Sequence, residues 1–433
     1  MAEIRPLRAF RYNQNLTHQL EELVSPLFDV VSEKQRKRLY QEKYNSIHLS
    51  VPQGPAPIQH AANTLTEWKK DKVIVQDDLP AIYVYYQYFS LPGSAKTFCR
   101  KGFVANMRIY DWDEKILLRH ENTIPKAVND RTDILEATQL HVSPTHGLYT
   151  DELKELEVYM DEAISNSLYE TEDYQGVRDV LASIQDAKVI RKFIDVLKHK
   201  QIILADGHHR YEGSLAYMKK MREQNAEHTG NEGYNFHLMY FTNTVSDDIR
   251  ILPTHRLIKS LNGNTEESIL QQLEKDFIIK PIEDPDVLPE IIAGKPWAFG
   301  MIFKNNAYKV RLRPENLEKI KWNFPQVIKS LDLTVMHYFI IEQALGIPAK
   351  EQRSSENISF DRSFADCLTK VLKDEAALAI ITQEISIDTV KNVCESGYTL
   401  PQKSTYFYPK VICGFLFGSI KADEFNTPDY SCF

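Results

Sequence analysis

Residues 203–218 of this 433-residue chain, ILADGHHRYEGSLAYM, constrain its fold more than any other stretch. The stretch begins with apolar β-formers, and together with the two residues before it predicts a strand over residues 201–205. Tyr211, Leu215 and Met218 then recur at helical spacing, which predicts a helix from residue 207 to about 222 that packs on a sheet. A strand that leads into such a helix is typical of α/β and α+β proteins.

Charged residues occupy the joint between the predicted strand and helix. The aligned peptide dipoles already make a helix start positive, so His208, His209 and Arg210 have the wrong sign there. Asp206 stands where an N-cap belongs, and Gly207 lets a ligand approach the backbone. First-turn amides, together with cationic side chains, form an anion site. We therefore predict that this turn binds a phosphate or a phosphorylated metabolite.

Two other interpretations of the turn stay open. In the first, Asp206 only caps the helix, and the two histidines are neutral and either packed or solvated. In the second, Asp206, His208 and His209 bind a metal, since imidazole and carboxylate suit first-row metals. Adjacent histidines point in different directions from one helix turn, so they seldom share a metal ion.

Similar residues recur at the ends of other predicted strands. They are His120, Glu121 and Arg131 in HENTIPKAVNDR, His146 in SPTHGLY, Thr254, His255 and Arg256 in LPTHRL, and Lys403 and Ser404 in LPQKSTYFYPK. None of these stretches is a zinc-protease or P-loop motif, because the second histidine or the glycines are missing. Together they predict an anionic small-molecule pocket, although solvated turns explain each stretch singly. Asp29, in the apolar run PLFDVVS, is either a cap or an acid of the site.

Strands and helices alternate along the whole chain. We predict strands at AIYVYYQYF (81–89) and NFHLMYFTN (235–243), and helical structure over 150–200, including VRDVLASI (177–184). The proline-containing stretch 282–297 is the best boundary candidate. We therefore predict a mixed α/β or α+β protein with a main domain over 1–280, carrying insertions within 40–200, and a C-terminal α/β region over 281–433.

Composition limits the class of partner. The formal net charge of −8 argues against charge-driven nucleic-acid binding. The N-terminus has no apolar signal segment, and the most apolar run, AALAIIT (376–382), is too short to span a bilayer. The five cysteines form no CxxC pair, which favours reduced thiols in the cytoplasm. We expect a cytoplasmic protein whose partner is a small anionic metabolite, without nucleic acid or membrane; assembly as a homo-oligomer stays open.

These motifs, in their order along the chain, resemble the domain-of-unknown-function family 1015. The resemblance runs from Ile4 to about Gly414. The family's P-P-Y-D-V-I stretch corresponds to SPLFDVV here, which keeps Asp29 but lacks the tyrosine. The D-G-H-H-R turn is also similar to the phosphate-binding turn of the ParB/sulfiredoxin-like fold, as in archaeal free-serine kinases. The resemblance implies a ParB/sulfiredoxin-like core with large insertions and an additional C-terminal α/β region.

The resemblance further implies phosphoryl chemistry on a small hydroxy amino acid, with serine or phosphoserine as the specific expectation. The reaction is then kinase-like or phosphatase-like. Arg210 and the helix amides bind the phosphoryl group, and His208 or His209 protonates the leaving oxygen. Asp206, Asp29 or Glu121 acts as base or holds a divalent ion, and Mg²⁺ is expected if an adenine nucleotide is used. A non-catalytic nucleotide-binding regulator and a metal-dependent hydrolase on His120, Glu121 and His208 are the alternatives.

Overall fold

The computed structural model describes residues 1–27, 30–91, 95–352, 355–400, 404–425 and 430. The chain forms two compact units: unit 1 comprises Met1–Arg119, Thr123–Ile249 and Pro409–Phe433, and unit 2 comprises His120–Asn122 and Arg250–Tyr408. Both units contain strands and helices, so the mixed α/β class is confirmed. The ranges 1–280 and 281–433, and the ParB/sulfiredoxin-like core, stay predictions about domains and ancestry.

Unit 1 is built on a mixed sheet with the strand order β6-β11-β8-β12-β5-β4-β10-β9, and β1 also pairs with β5. The β11–β6 and β12–β8 pairs are parallel, and the other pairs in this sheet are antiparallel. The strands of unit 1 before residue 249 are β1 (Ile4–Arg5), β2 (Phe10–Tyr12), β3 (Ile74–Gln76), β4 (Ile82–Ser90), β5 (Thr97–Arg108), β6 (Leu117–Arg119), β7 (Leu140–His141), β8 (Thr145–Tyr149), β9 (Tyr169–Glu172), β10 (Arg178–Ile184), β11 (Ile202–Asp206) and β12 (Phe236–Asn243).

Both faces of this sheet are buried. Along β4, Ile82 and Val84 join one hydrophobic core, while Tyr83 and Tyr85 join another. Successive side chains of a strand point to opposite faces, so a strand covered on both sides is apolar throughout. This explains the run AIYVYYQYF, which is apolar or aromatic except at Gln87, and the strand predicted there is confirmed.

Helices cover the two faces of the sheet. Those of unit 1 before residue 249 are α1 (Leu20–Leu23), α2 (Glu33–Leu39), α3 (Ile47–Ser50), α4 (Pro57–Lys70), α5 (Pro125–Thr138), α6 (Glu157–Ile164), α7 (Ala187–Lys198) and α8 (His208–Gln224). Tyr211, Leu215 and Met218 of α8 share one core with Ile202 and Leu204 of β11, as their spacing predicted. Each buried aliphatic or aromatic side chain of this stripe stabilises the unit by about 1.5–3 kcal/mol.

The prediction of helix over 177–184 is wrong. Residues 178–184 form β10, which pairs with β4 from Arg178↔Tyr88 to Ile184↔Ile82. Leu181 and Ala182 face opposite cores, so a run that matches helical spacing is buried here as a strand. Tertiary pairing therefore overrides the local pattern.

Unit 2 contains an antiparallel sheet with the order β15-β17-β16-β19-β14-β18, beside a β13–β20 pair. Its strands are β13 (Arg250–Leu252), β14 (His255–Ile258), β15 (Phe277–Ile282), β16 (Ala298–Ile302), β17 (Ala307–Leu312), β18 (Ile358–Asp361), β19 (Leu378–Ile381) and β20 (Tyr406–Tyr408). Its helices are α9 (Glu266–Glu274), α10 (Leu288–Ile292), α11 (Gln326–Lys329), α12 (Asp332–Val335), α13 (Ala349–Gln352), α14 (Phe364–Leu372) and α15 (Ile387–Glu395), with a π-helical stretch at Met336–Ala344.

The end of the chain returns to unit 1. There β21 (Gly418–Ser419) pairs with β7, and a last short helix, α16 (Ala422–Phe425), follows. This return brings Lys410 into unit 1, which matters for the site below. Among the described residues, no helix combines the length and the apolar character that crossing a membrane requires.

Candidate functional site

The turn between β11 and α8 requires a glycine. Gly207 has φ +91°, a backbone conformation that favours glycine, and it is the N-cap of α8. A Cβ at this position would lie 2.5 Å from Thr145 Cγ2 and 2.8 Å from Arg210 Nη2. The prediction that Asp206 caps the helix is wrong, because no side chain of the described residues caps α8. The Asp206 carboxylate points toward two cations instead.

Asp206 is paired with Arg210 and Lys410. Its Oδ2 accepts a hydrogen bond of 3.0 Å from Arg210 Nη2, and its Oδ1 accepts one from Lys410 Nζ. The three side chains are between 10% and 15% exposed. Burial raises the pKa of Asp206, but the charges of Lys410 and Arg210 outweigh it and hold the pKa below its ordinary value. The carboxylate therefore stays ionised, and two cations surround one anion.

Backbone and hydroxyl acceptors fix the Arg210 guanidinium. Its Nη1 donates to Ser143 Oγ at 2.8 Å and to the Pro144 carbonyl at 2.7 Å. Together with Asp206, these acceptors hold the planar group in one orientation. Asp206 thus supplies an anion for Arg210, whereas the sequence predicted that a bound ligand would supply it.

A cavity of about 60 Å³ lies beside Arg210 and is also lined by Arg131, His141, Ser143 and Ser214. Arg131 Nη1 donates to the Ser50 carbonyl at 2.7 Å. Burial and then the charge of Arg210 lower the pKa of Arg131. Burial lowers the pKa of His141 to about 4, so this ring is neutral at pH 7. Two guanidinium groups therefore share one small cavity.

The predicted histidines of unit 1 differ in their surroundings. His208 is buried, whereas His209 is half-buried and its Nε2 accepts a 3.0 Å hydrogen bond from the Ile124 N–H. That bond places the proton of a neutral His209 on Nδ1. His146 is buried within the sheet, where its Nε2 lies 2.7 Å from Thr242 Oγ1. Burial and then the charge of Arg100 hold the pKa of His146 well below its ordinary value.

A buried polar network, which the sequence did not predict, holds the segment that carries Lys410. Arg100 Nε donates to Gln87 Oε1 at 3.1 Å, and Arg100 Nη2 donates to the Pro409 carbonyl. Gln87 Nε2 donates to Asp179 Oδ1 at 2.7 Å and to the Lys410 carbonyl at 3.1 Å. Burial raises the pKa of Asp179 to about 7, although hydrogen bonds oppose it. Gln87 interrupts the apolar and aromatic run of β4, and that interruption was the available signal.

In unit 2, His120 and Glu121 are linked through a threonine. Thr405 Oγ1 donates to Glu121 Oε1 at 3.1 Å and lies 2.8 Å from His120 Nε2. Because the hydroxyl has one proton and gives it to the carboxylate, His120 Nε2 is the donor to Thr405. Ser404, the neighbour of Thr405, is also buried.

Thr254, His255 and Arg256 form the other part of the unit 2 cluster. Arg256 is completely buried, its Nη1 donates to the Thr254 carbonyl, and its Nε and Nη2 have no hydrogen-bond partner in the described part of the chain. Burial lowers its pKa to about 9, while the charge of Glu121 raises it. His255 Nδ1 accepts from the Thr382 N–H at 3.2 Å, and burial followed by the Arg256 charge lowers its pKa to about 4.

The predicted residues therefore form one cluster in each unit. Unit 1 brings together Asp206, Gly207, Arg210 and Arg131, and unit 2 brings Glu121 near both His120 and Arg256. Asp29 and Lys403 lie outside the described residues. Over the described ranges, no group of three or more His, Cys, Asp or Glu side chains is arranged to hold a metal ion.

Three comparisons place the chain among known proteins. A family model described as "Protein of unknown function (DUF1015)" matches residues 4–334. The search of curated proteins found no match. Similar solved structures include a free serine kinase in complex with AMP (12% identity, TM-score 0.36, covering 75% of this chain and 93% of that chain).

Two further solved structures are similar at the same level. One is a conserved hypothetical protein from Pyrococcus furiosus (11% identity, TM-score 0.34, covering 72% and 93%). The other is SbnI with C-terminal truncation from Staphylococcus aureus (13% identity, TM-score 0.33, covering 73% and 82%). Likeness at this level carries no inference about fold or ligand.

Proposed function

This chain belongs to the DUF1015 family, as its motifs predicted, and we propose that its Asp206–Arg210 turn binds the phosphoryl group of a small metabolite. The reaction we propose is phosphoryl transfer or phosphate-ester hydrolysis on a small hydroxy amino acid. Serine or phosphoserine is the specific substrate, and this choice rests on the resemblance of the D-G-H-H-R turn. The family's description gives no activity, so the proposal rests on the site.

The observation that carries the proposal is the pair of guanidinium groups on one small cavity. Arg131 and Arg210 both line the space of about 60 Å³, and the charge of Arg210 lowers the pKa of Arg131. Like charges in a buried space repel each other, and an anion between them turns that repulsion into two charge-assisted contacts. The cavity has room for several water-sized groups, which suits a phosphoryl group.

The Arg210 side chain is preorganised to bind an anion. Arg210 is already held by Ser143, Pro144 and Asp206, so an incoming anion does not have to order that side chain. Donors that are fixed before the ligand arrives give more affinity and more transition-state stabilisation than mobile ones. We therefore assign Arg210 and Arg131 to the phosphoryl oxygens, with Gly207 allowing a close backbone approach.

The acid–base roles follow from the hydrogen bonds. Asp206 stays ionised between two cations, so we assign it as a positioning residue for Arg210 rather than a base. His208 and His209 remain the proposed proton donors, and for His209 the proton lies on Nδ1. Glu121 and His120, which are connected by hydrogen bonds through Thr405, form a second proposed acid–base pair in unit 2.

An adenine nucleotide fits the donor set of the turn, because helix amides and arginines suit phosphate oxygens. Mg²⁺ does not fit it equally well. Asp206 already has two cationic partners, and the described residues contain no group of three metal-ligating side chains. We therefore derive no step through Mg²⁺ from these residues.

A regulator that binds nucleotide without turnover is the second candidate. Both Asp206 and His209 Nε2 are hydrogen-bonded within the protein, which limits their use as acid–base groups and favours binding without turnover. Such a protein is stabilised by its ligand through mass action but yields no product.

The test incubates the full chain with phosphoserine, alone and with ADP and Mg²⁺, and follows serine and ATP. Thermal stabilisation by phosphoserine, ADP and inorganic phosphate is measured in parallel. We expect serine release or ATP formation, and a loss of at least about tenfold in Arg210→Ala, since one charge-assisted contact contributes about 1.5–3 kcal/mol. Arg222→Ala, an exposed arginine in the last turn of α8, is the matched control and should keep full activity.

The outcomes separate the two candidates. Stabilisation without product favours the regulator, and product formation favours the enzyme. Folded protein with neither stabilisation nor turnover would contradict both. Full activity in Arg210→Ala and Arg131→Ala would move the site away from this turn.

A further inference from the structure

Unit 2 contains a larger cavity that the proposed function does not use. Its volume is about 360 Å³, within the range of small-molecule pockets. Four aromatic side chains line it: Trp322, Phe324, Phe360 and Tyr398. Among its polar lining residues are His337 and Gln352, both buried.

Two of the aromatic rings are unusually exposed. Phe324 is 37% exposed and Tyr398 is 40% exposed, and their rings meet edge to face with centroids 6.0 Å apart. Trp322 packs against Phe324 in the same way at 5.9 Å. Aromatic side chains that line a cavity can bind another flat ring, because offset-stacked and edge-to-face ring pairs are both favourable.

The buried histidine at this cavity has a defined proton position. Gln352 Nε2 donates to the carbonyls of His337 and Ile347 at 3.1 and 2.9 Å, which orients the amide with Oε1 toward the imidazole. Oε1 only accepts, and it lies 2.7 Å from His337 Nδ1, so Nδ1 carries the proton. Burial, followed by the charge of Arg256, lowers the pKa of His337 to about 3, so the ring is neutral.

His337 Nε2 is therefore an acceptor. The atom is buried, the residue is 7% exposed, and no described residue donates to Nε2. An unsatisfied buried acceptor costs free energy, so in stable proteins such an atom usually meets a ligand or water. His337 also lies in the π-helical stretch Met336–Ala344, a conformation found frequently at functional sites.

From this geometry we infer that the unit 2 cavity is a binding site for a flat aromatic ring that carries an N–H donor. The ring stacks among Trp322, Phe324, Phe360 and Tyr398, and its N–H donates to His337 Nε2. An amino-substituted purine and an indole share this chemistry. The site lies wholly within unit 2 and does not involve the Asp206–Arg210 turn. The test of this inference is therefore separate from the test of the proposed function.

The test is calorimetric titration of the full chain with adenosine and with indole. Each probe is paired with an analogue that lacks the donor, N6,N6-dimethyladenosine and 1-methylindole. We expect at least one parent probe to bind and its methylated analogue to bind about tenfold more weakly, the usual effect of one buried hydrogen bond. The parent probe that binds identifies the source of the ring.

Variants locate the binding. His337→Phe keeps a ring but removes the acceptor, and should reduce the difference between parent and methylated probe to less than about twofold. Phe324→Ala and Tyr398→Ala, at exposed positions where folding is retained, should each weaken binding about three- to tenfold. Tyr174→Ala, which changes a more exposed aromatic residue of unit 1, should leave binding unchanged. Absence of binding by both parent probes, or equal binding of the parent and methylated forms to the wild-type chain, overturns the inference.

Discussion

Arg210 at the start of α8 in unit 1 and Arg256 at the start of β14 in unit 2 each follow a histidine, yet their surroundings are opposite. Arg210 donates to a carboxylate, a hydroxyl and backbone carbonyls. Arg256 is completely buried, donates to one carbonyl, and keeps two nitrogens without a partner among the described residues. The Arg210 guanidinium is thus hydrogen-bonded through both terminal nitrogens, whereas that of Arg256 is largely desolvated.

The comparison shows what a short motif leaves undetermined. Both arginines were predicted as anion ligands, Arg210 from its place at a helix start and Arg256 from a similar short stretch at a strand end, but only Arg210 is hydrogen-bonded to several acceptors. A paired buried charge is costly to break, whereas a poorly paired one is often replaced by an apolar side chain at little cost. The following changes test that distinction.

Removing the Asp206 carboxylate should leave Arg210 poorly paired, as Arg256 is. Asp206→Asn leaves the largely buried Lys410 and Arg210 side chains, 10% and 13% exposed, without their anion, and we expect a loss of about 3–5 kcal/mol in the free energy of unfolding. Chemical denaturation measures it. The control is Asp195→Asn, which removes an exposed pair with Arg191 and should cost about 0.2–1 kcal/mol. Equal losses in the two variants would show that the Asp206 pairs are no stronger than surface pairs.

Crowding the turn should displace Arg210 without changing its charge. Gly207→Ala introduces a Cβ 2.8 Å from Arg210 Nη2 at a positive φ, and we expect a loss of about 2–4 kcal/mol from strain and overpacking. Gly176→Ala also has a positive φ but open space around its Cβ, so its loss should be about 1 kcal/mol. If both glycine variants lost the same amount, contact with Thr145 and Arg210 would play no part.

The pH dependence of the free energy of unfolding tests the effect of burial on titratable side chains in both units. The pKa values of His255 and His141 are about 4, below the value of about 6.5 in an unfolded chain. The unfolded chain binds more protons between these values, so stability falls as the pH falls from about 6.5 to about 4, by up to about 1.4 kcal/mol per pH unit for each histidine.

Denaturation at several pH values in this window checks the sign and the size of the slope. His255→Gln should reduce the slope of the unfolding free energy against pH by the contribution of one histidine. His141→Gln in unit 1 should reduce it by a similar amount. An unaltered slope in both variants would contradict the burial argument. The Asp206 pKa is lowered from its ordinary value, so its contribution is lost only at more acidic pH.

The smallest effect is expected at Arg256 itself. Arg256→Met replaces a desolvated guanidinium with a flexible apolar chain of similar length, so the free energy of unfolding should change by less than about 1 kcal/mol or increase. Arg210→Met, which breaks a set of made hydrogen bonds, is the matched variant and should lose about 3 kcal/mol. A larger loss at Arg256 than at Arg210 would reverse the comparison.

Much of the fold near the site was predictable from local pattern. The strand at 202–206, the helix at 208–224 and the buried strands at 82–90 and 236–243 follow apolar runs and helical spacing. The strand at 178–184 was not, because an apolar spacing of three and four fits a short strand buried on both faces equally well. Its partner β4 is about ninety residues away, and no local pattern encodes that pairing.

The residues of the site were also predictable only in part. The D-G-H-H-R motif identified Gly207 and Arg210, because a glycine at a strand–helix joint and cations at a helix start are local anomalies. Lys410 was missed, since it is some two hundred residues from Asp206 and follows an ordinary aromatic strand. The Arg100–Gln87–Asp179 network was missed for the same reason, since its members lie on different strands.

The sequence by itself determined the mixed α/β class, the family and the strand–turn–helix joint, because all three follow from short local patterns and their order along the chain. Only the tertiary structure decided that Asp206 binds cations instead of capping α8, that Arg131 shares a cavity with Arg210, and that Arg256 is desolvated. Charge pairing, burial and hydrogen-bond geometry depend on which distant segments meet. The packing of the whole core determines which distant segments are in contact, and short motifs do not specify that packing.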